Sequence, residues 1–165
     1  MKKLIFYSLL IFTLFGCKKS SDTPTATFKF KANGVLYDLS SKEHDVHCEK
    51  FTPTSANNTF GIAYAYDIKA WLPFGQPNRG FILYLESPSQ ITERTYIYPT
   101  YYIDPILALN DWDSELSFDS FSVTFTKISP ETVSGTFSGV MYDMNTQERI
   151  TISEGNFSNV PIREE

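Results

Sequence analysis

Apolar and polar side chains alternate with a period of two over most of the chain beyond residue 27. That period belongs to half-buried β-strands, whose successive side chains point to opposite faces. Thr27-Phe28-Lys29-Phe30-Lys31-Ala32 sets Phe28, Phe30 and Ala32 on one face and two lysines on the other. Asn33-Gly34 follows, a dipeptide that accepts the positive φ angles of a two-residue hairpin turn, and Val35 to Leu39 returns as the partner strand. Further strands are predicted at Asn58 to Tyr66 and on to Trp71, Arg79 to Glu86, Arg94 to Tyr98, Ser120 to Ile128, Val133 to Tyr142, Arg149 to Ser153, and around Phe157. Pro73, Pro77, Pro88, Pro99 and Pro130 fall between or at the edges of these runs, where a missing amide proton breaks no ladder.

The last third reads as a meander with one greasy face and one polar face, the pattern of an antiparallel sheet that covers a core on one side only. Gly135 and Gly139 sit inside its second strand, where glycine signals a bulge or bend. Asp104-Pro105-Ile106-Leu107-Ala108-Leu109-Asn110 has a capping acid, proline at the first helical position and good helix formers, and predicts a short helical turn over 105–110. The implied fold is all-β: a single domain over 28–165, an antiparallel sandwich or flattened barrel of about eight strands.

The first sixteen residues break this pattern. Lys2 and Lys3 precede Leu4 to Phe15, twelve mostly apolar residues. As a helix they would span about 18 Å, short of the ~30 Å hydrocarbon core, so residues 1–16 read as an export signal rather than a transmembrane anchor. The run ends in Leu14-Phe15-Gly16-Cys17, which resembles the bacterial lipobox. In that motif the thiol receives a diacylglycerol, the small residue admits the peptidase, and the freed amine of the cysteine is acylated. Two or three acyl chains make attachment effectively permanent. Lys18 after the lipidated Cys17 resembles lipoproteins released to the outer membrane, and residues 17–27 then read as a lipid-bearing cysteine and flexible tether.

Composition sharpens this picture. The chain is 42% apolar and 16% aromatic, too rich to stay disordered. Taking 16 residues from 165 leaves 149, and losing Lys2 and Lys3 moves the formal charge from −5 to −7. No basic run exists to displace counterions, which argues against nucleic acid as a partner. A mature chain of this length can bury a core without disulfides.

Candidate chemistry concentrates in two places. Both histidines, and the one cysteine besides Cys17, lie in Glu43-His44-Asp45-Val46-His47-Cys48-Glu49, so His44, His47 and Cys48 are candidate metal ligands. In a strand they would diverge, and only a loop brings them together. The plainer expectation is an exposed polar connection with Val46 and Cys48 tucked inward. The second place is Tyr96 to Phe118. There Tyr98, Tyr101, Tyr102, Asp111, Trp112 and Asp113 form a candidate ligand-binding set, because flat rings stack on sugar C–H faces while carboxylates take the hydroxyls. Packing against the core is the ordinary reading of the same rings. Asp104, Asp111, Asp113 and Glu115 read as solvated loop acids, although two of them could flank a sugar in a glycosidase. No Gly-x-Ser-x-Gly elbow or phosphate loop occurs, no catalytic residue is assigned and no cofactor is called for.

Phe28 to Tyr37, Val133-Ser134-Gly135-Thr136-Phe137-Ser138-Gly139, and Ile150 to Phe157 resemble small lipoproteins of Bacteroidota that carry a domain of unknown function, in which a "GTF" strand pairs with a closing "ITxGxF" strand. The resemblance covers about 50 residues in two blocks and rests on sheet glycines and aromatics. It implies fold and location, and carries no catalytic residue. Tyr96 to Phe118 looks like an insertion. The expectation is a monomeric, non-catalytic lipoprotein anchored to the outer membrane, binding a glycan or an envelope protein. The alternative is a metal-assisted or carboxylate hydrolase acting on polysaccharide.

Overall fold

The computed structural model describes residues 25–40, 44–51, 64–72, 80–108, 116–143 and 146–164. The signal segment, Cys17 and most of the tether lie outside them, as do the predicted strand residues 58–63. Among the described residues there are ten strands: β1 (Thr27–Ala32), β2 (Val35–Asp38), β3 (Asp45–Phe51), β4 (Tyr64–Trp71), β5 (Gly80–Ser87), β6 (Thr95–Ile97), β7 (Tyr102–Ala108), β8 (Leu116–Ile128), β9 (Thr132–Asp143) and β10 (Arg149–Glu164). Eight of them follow one path, β6-β8-β9-β10-β3-β4-β5-β7, and the β1–β2 hairpin attaches to β10. Every pairing is antiparallel except a short parallel one, Ile162 to Glu164 of β10 against Cys48 to Lys50 of β3. Strand β7 returns alongside β8, near the start of the path, so the sheet forms a flattened, nearly closed barrel.

The hairpin turn has the predicted form. Ala32 pairs with Val35, and Asn33 and Gly34 take φ values of 48° and 82°. Asn33 also ties the turn to β10: its Oδ1 accepts from the Thr151 amide at 2.8 Å, and its own amide donates to the Thr151 carbonyl at 3.0 Å. One face of each long strand then feeds the core. Phe28, Phe30, Phe81, Phe121, Phe125 and Phe157 are buried, with Phe81 and Phe137 5.1 Å apart at the centre. Each such ring contributes roughly 1.5–3 kcal/mol by burial.

Gly135 and Gly139 do not bulge. Strand β9 keeps one residue per register step, and the irregularities fall in its neighbours: β8 between Phe118 and Ser120 and between Phe125 and Lys127, β10 between Ile152 and Gly155 and between Phe157 and Val160. The glycines make room for rings instead. A methyl group on Gly135 would meet Phe157, and one on Gly139 would meet Phe121. The extra residues in β8 and β10 lengthen the flanking strands and curl the sheet around its core.

Three elements differ from expectation. Residues 105–108 belong to strand β7, not to a helical turn; Asp104 pairs with Tyr84, Pro105 with Leu83 and Ile106 with Ile82. Burying Ile103 and Leu107 on one face satisfies the period-two pattern and outweighs the local capping signal, and an end strand of the path tolerates Pro105. The polar segment at 45–51 is strand β3, paired along its length with β4, rather than an exposed connection. The segment around Phe157 is no separate strand but part of the sixteen-residue β10.

Candidate functional site

The sequence-predicted residues separate when placed on this fold. Cys48 points into the barrel and is fully buried, whereas His47 lies on the opposite face of β3 beside Asp45 and Glu49. His44 precedes the strand. His44, His47 and Cys48 therefore do not converge, and among the described residues no group of three or more His, Cys, Asp and Glu is arranged to hold a metal ion. Of the aromatic set, Tyr98 packs edge to face on Phe118 at 4.7 Å, and Tyr101 does the same on the buried Tyr96 at 4.8 Å, with the Arg94 guanidinium over both Tyr96 and Tyr101. These two rings finish the rim of the core. Among the described rings of that set, Tyr102 alone faces outward, on β7. Asp111, Trp112 and Asp113 lie outside the described residues.

What gathers around Tyr102 comes from β3, β4 and β5. In register across the outer face run Glu49, Asp67, Tyr84 and Asp104; His47, Lys69, Ile82 and Ile106; and Ala65, Glu86 and Tyr102. The β3–β4 half is a chain of charges. Arg163 holds Asp45 with two hydrogen bonds of 2.9 and 2.7 Å; His47 Nε2 lies 3.0 Å from Glu49; Lys69 bridges Glu49 and, at 3.2 Å, Asp67. The Arg163 guanidinium holds the Asp45 carboxyl below the usual range. Burial works to raise Glu49, but Lys69 and then His47 outweigh it, and the net shift is downward. At Asp67 burial wins over Lys69, and the carboxyl is raised. His47 Nδ1 approaches Asp45 at 3.3 Å without hydrogen-bond geometry, so it and Asp67 Oδ1 are buried without a hydrogen-bond partner.

The β5–β7 half pairs phenols with carboxylates. The Tyr84 hydroxyl donates to Glu86 at 2.5 Å, and the Tyr102 hydroxyl donates to Asp104 at 3.4 Å. Burial, reinforced by these acceptors, raises both phenols above their ordinary value, so they stay protonated donors. The two rings meet edge to face with centroids 6.1 Å apart, and Tyr102 and Ile106 are 50% and 44% exposed. A flat, half-exposed ring beside oriented carboxylates offers a polyhydroxyl ligand both a stacking surface and strong acceptors.

Tyr84 and Glu86 escaped sequence reasoning because pairing with Asp104 and Tyr102 joins residues far apart in the chain. Their alternation in Phe81 to Glu86 signalled a strand face, not a partner. No family model, curated protein or solved structure matches the chain.

Proposed function

We propose that the chain is a lipoprotein of the bacterial outer membrane, anchored through Cys17, whose β-domain is a non-catalytic binding module for a glycan. The lipobox-like Leu14-Phe15-Gly16-Cys17 supports the anchor. The observation that carries the binding role is the Tyr84–Glu86 and Tyr102–Asp104 arrangement, two phenol–carboxylate pairs on adjacent strands with one ring half exposed. Charge on the β3–β4 half of this face is taken up by partners, Glu49 and Asp67 by Lys69, and Asp45 by Arg163, while on the β5–β7 half Glu86 and Asp104 accept from Tyr84 and Tyr102. The face therefore suits recognition through rings and hydrogen bonds rather than release of a reactive group.

A glycan array, followed by a hydrolysis screen on each hit, tests the reading. Retention without product supports it. Product release would make the protein a hydrolase, and an array without hits would remove the glycan.

A further inference from the structure

The opposite side of the barrel presents a face of different chemistry. Thr95, Thr124, Thr136 and Asn156 stand in one register row across β6, β8, β9 and β10, and Ser122 and Ser138 pair in a neighbouring row. All are solvent-accessible. Five of these, all but Thr95, line an open depression of ≈ 370 Å³ walled on one side by Glu154, which sits with φ of 51° at the β10 bulge. A second depression of ≈ 340 Å³, lined by Asp119, Tyr142, Gln147 and Arg149, lies further along the same strands. Four residue steps along β9 take Ser138 to Tyr142, about 14 Å at strand spacing. Each volume falls at the small end of ligand pockets, about 300–1,000 Å³.

Charge says what such a surface admits. Every charged side chain in the two depressions belongs to an ion pair, Glu154 with Lys31 and Asp119 with Arg149. The hydroxyls engage one another sparingly: Ser122 with Ser138 at 3.3 Å and Thr95 with Thr124 at 2.8 Å. A hydroxyl carries one donor and two acceptor sites, so most of this capacity remains for a ligand. Within the two depressions an anionic chain would find no unpaired cation and a cationic chain no unpaired carboxylate; Lys127, exposed opposite Ser134, lies beyond the end away from Tyr142. A ligand built of hydroxyls matches the row.

We infer that this face is a second binding surface, separate from the Tyr84–Tyr102 face, and that its ligand is an uncharged linear polysaccharide lying along β9 from the hydroxyl-lined depression to Tyr142. Titration of the intact lipidated chain in detergent micelles tests this, using cello- and laminari-oligosaccharides against a uronate oligomer of equal length. The neutral oligosaccharides should bind and the uronate should not. Ser138→Arg and Thr136→Arg, both at exposed positions, should weaken binding at least about tenfold, with unchanged circular dichroism, and should do so equally in a Tyr102→Ala background, where the β5–β7 face is already disabled. Thr136→Arg keeps the test if Ser138→Arg fails to fold. Wild-type binding in both arginine variants, equal binding of the uronate, or no neutral binding would overturn the inference. Neutral binding that survives both arginine variants but disappears in Tyr102→Ala would overturn it while leaving the glycan reading in place.

Discussion

The rings of Tyr84 and Tyr102 meet edge to face at 76°, on the solvent side of two strands whose sequence positions lie eighteen residues apart. Tyr102 is half exposed, so its removal takes away contact surface more than core. We expect Tyr102→Ala to lower folding stability by less than about 1.5 kcal/mol, the scale of an aromatic pair, while abolishing retention of the glycans held at the β5–β7 face. Urea denaturation beside array binding checks both; a large stability loss would return Tyr102 to a packing role.

Gly135→Ala attacks the other side of the account, the fit of rings over β9. The added methyl would collide with the Thr124 carbonyl and the Phe157 ring, neither of which can swing away. We expect a loss of about 1–3 kcal/mol, as for overpacked cores, read from the urea midpoint. The exposed Ser138→Ala control should change it little.

Acid should weaken the fold through Asp38, Asp45 and Glu49. Lys29 holds Asp38 at about 2, Arg163 holds Asp45 down, and at Glu49 burial is outweighed by Lys69 and His47. Each binds its proton more tightly unfolded than folded, so its contribution is complete above the ordinary carboxylate range and is lost as pH falls through the folded value. Asp67, raised by burial, works in the opposite sense. Lys69→Met leaves Glu49 without its cation. The variant should lose about 1–3 kcal/mol at pH 7, and the gap to wild type should narrow below pH 4.5 as Glu49 protonates. Urea titrations across pH 3–7 decide it, and a widening gap would remove Lys69 as the cause.

Cys48 should be inert while the protein is folded. Burial, then the charges of Asp67 and Glu49, pushes its thiol up to about 12, and the side chain has no solvent exposure. On a chain carrying the proposed thioether at Cys17, an aromatic disulfide reagent at pH 8 should find no thiol in the native protein and one in urea. Two thiols in urea would show that Cys17 carries no lipid.

Much of the fold was legible because period-two alternation survives wherever one face is wet. The Asn33-Gly34 turn announced the first hairpin, and Phe121-Val123-Phe125 announced β8. Strand β7 was not legible, since Asp104-Pro105 imitates a helix start and only the pairing of Pro105 with Leu83 overrides it. Strand β3 hid behind His47 and its acids, and the partners of those acids, Lys69 and Arg163, come from other strands. At the candidate site Tyr102 could be named from local composition; Tyr84 and Glu86 could not, because register across β5 and β7 defines the face.

The most direct measurement is a binding isotherm for the intact chain and its Tyr102→Ala variant against each glycan-array hit, with the same samples analysed for released sugar. We expect a saturable wild-type isotherm, lost in Tyr102→Ala for the hits held at the β5–β7 face, and no product from either protein. Undiminished binding of every hit by the variant, or sugar release by the wild type, would contradict a non-catalytic glycan module built on Tyr84 and Tyr102.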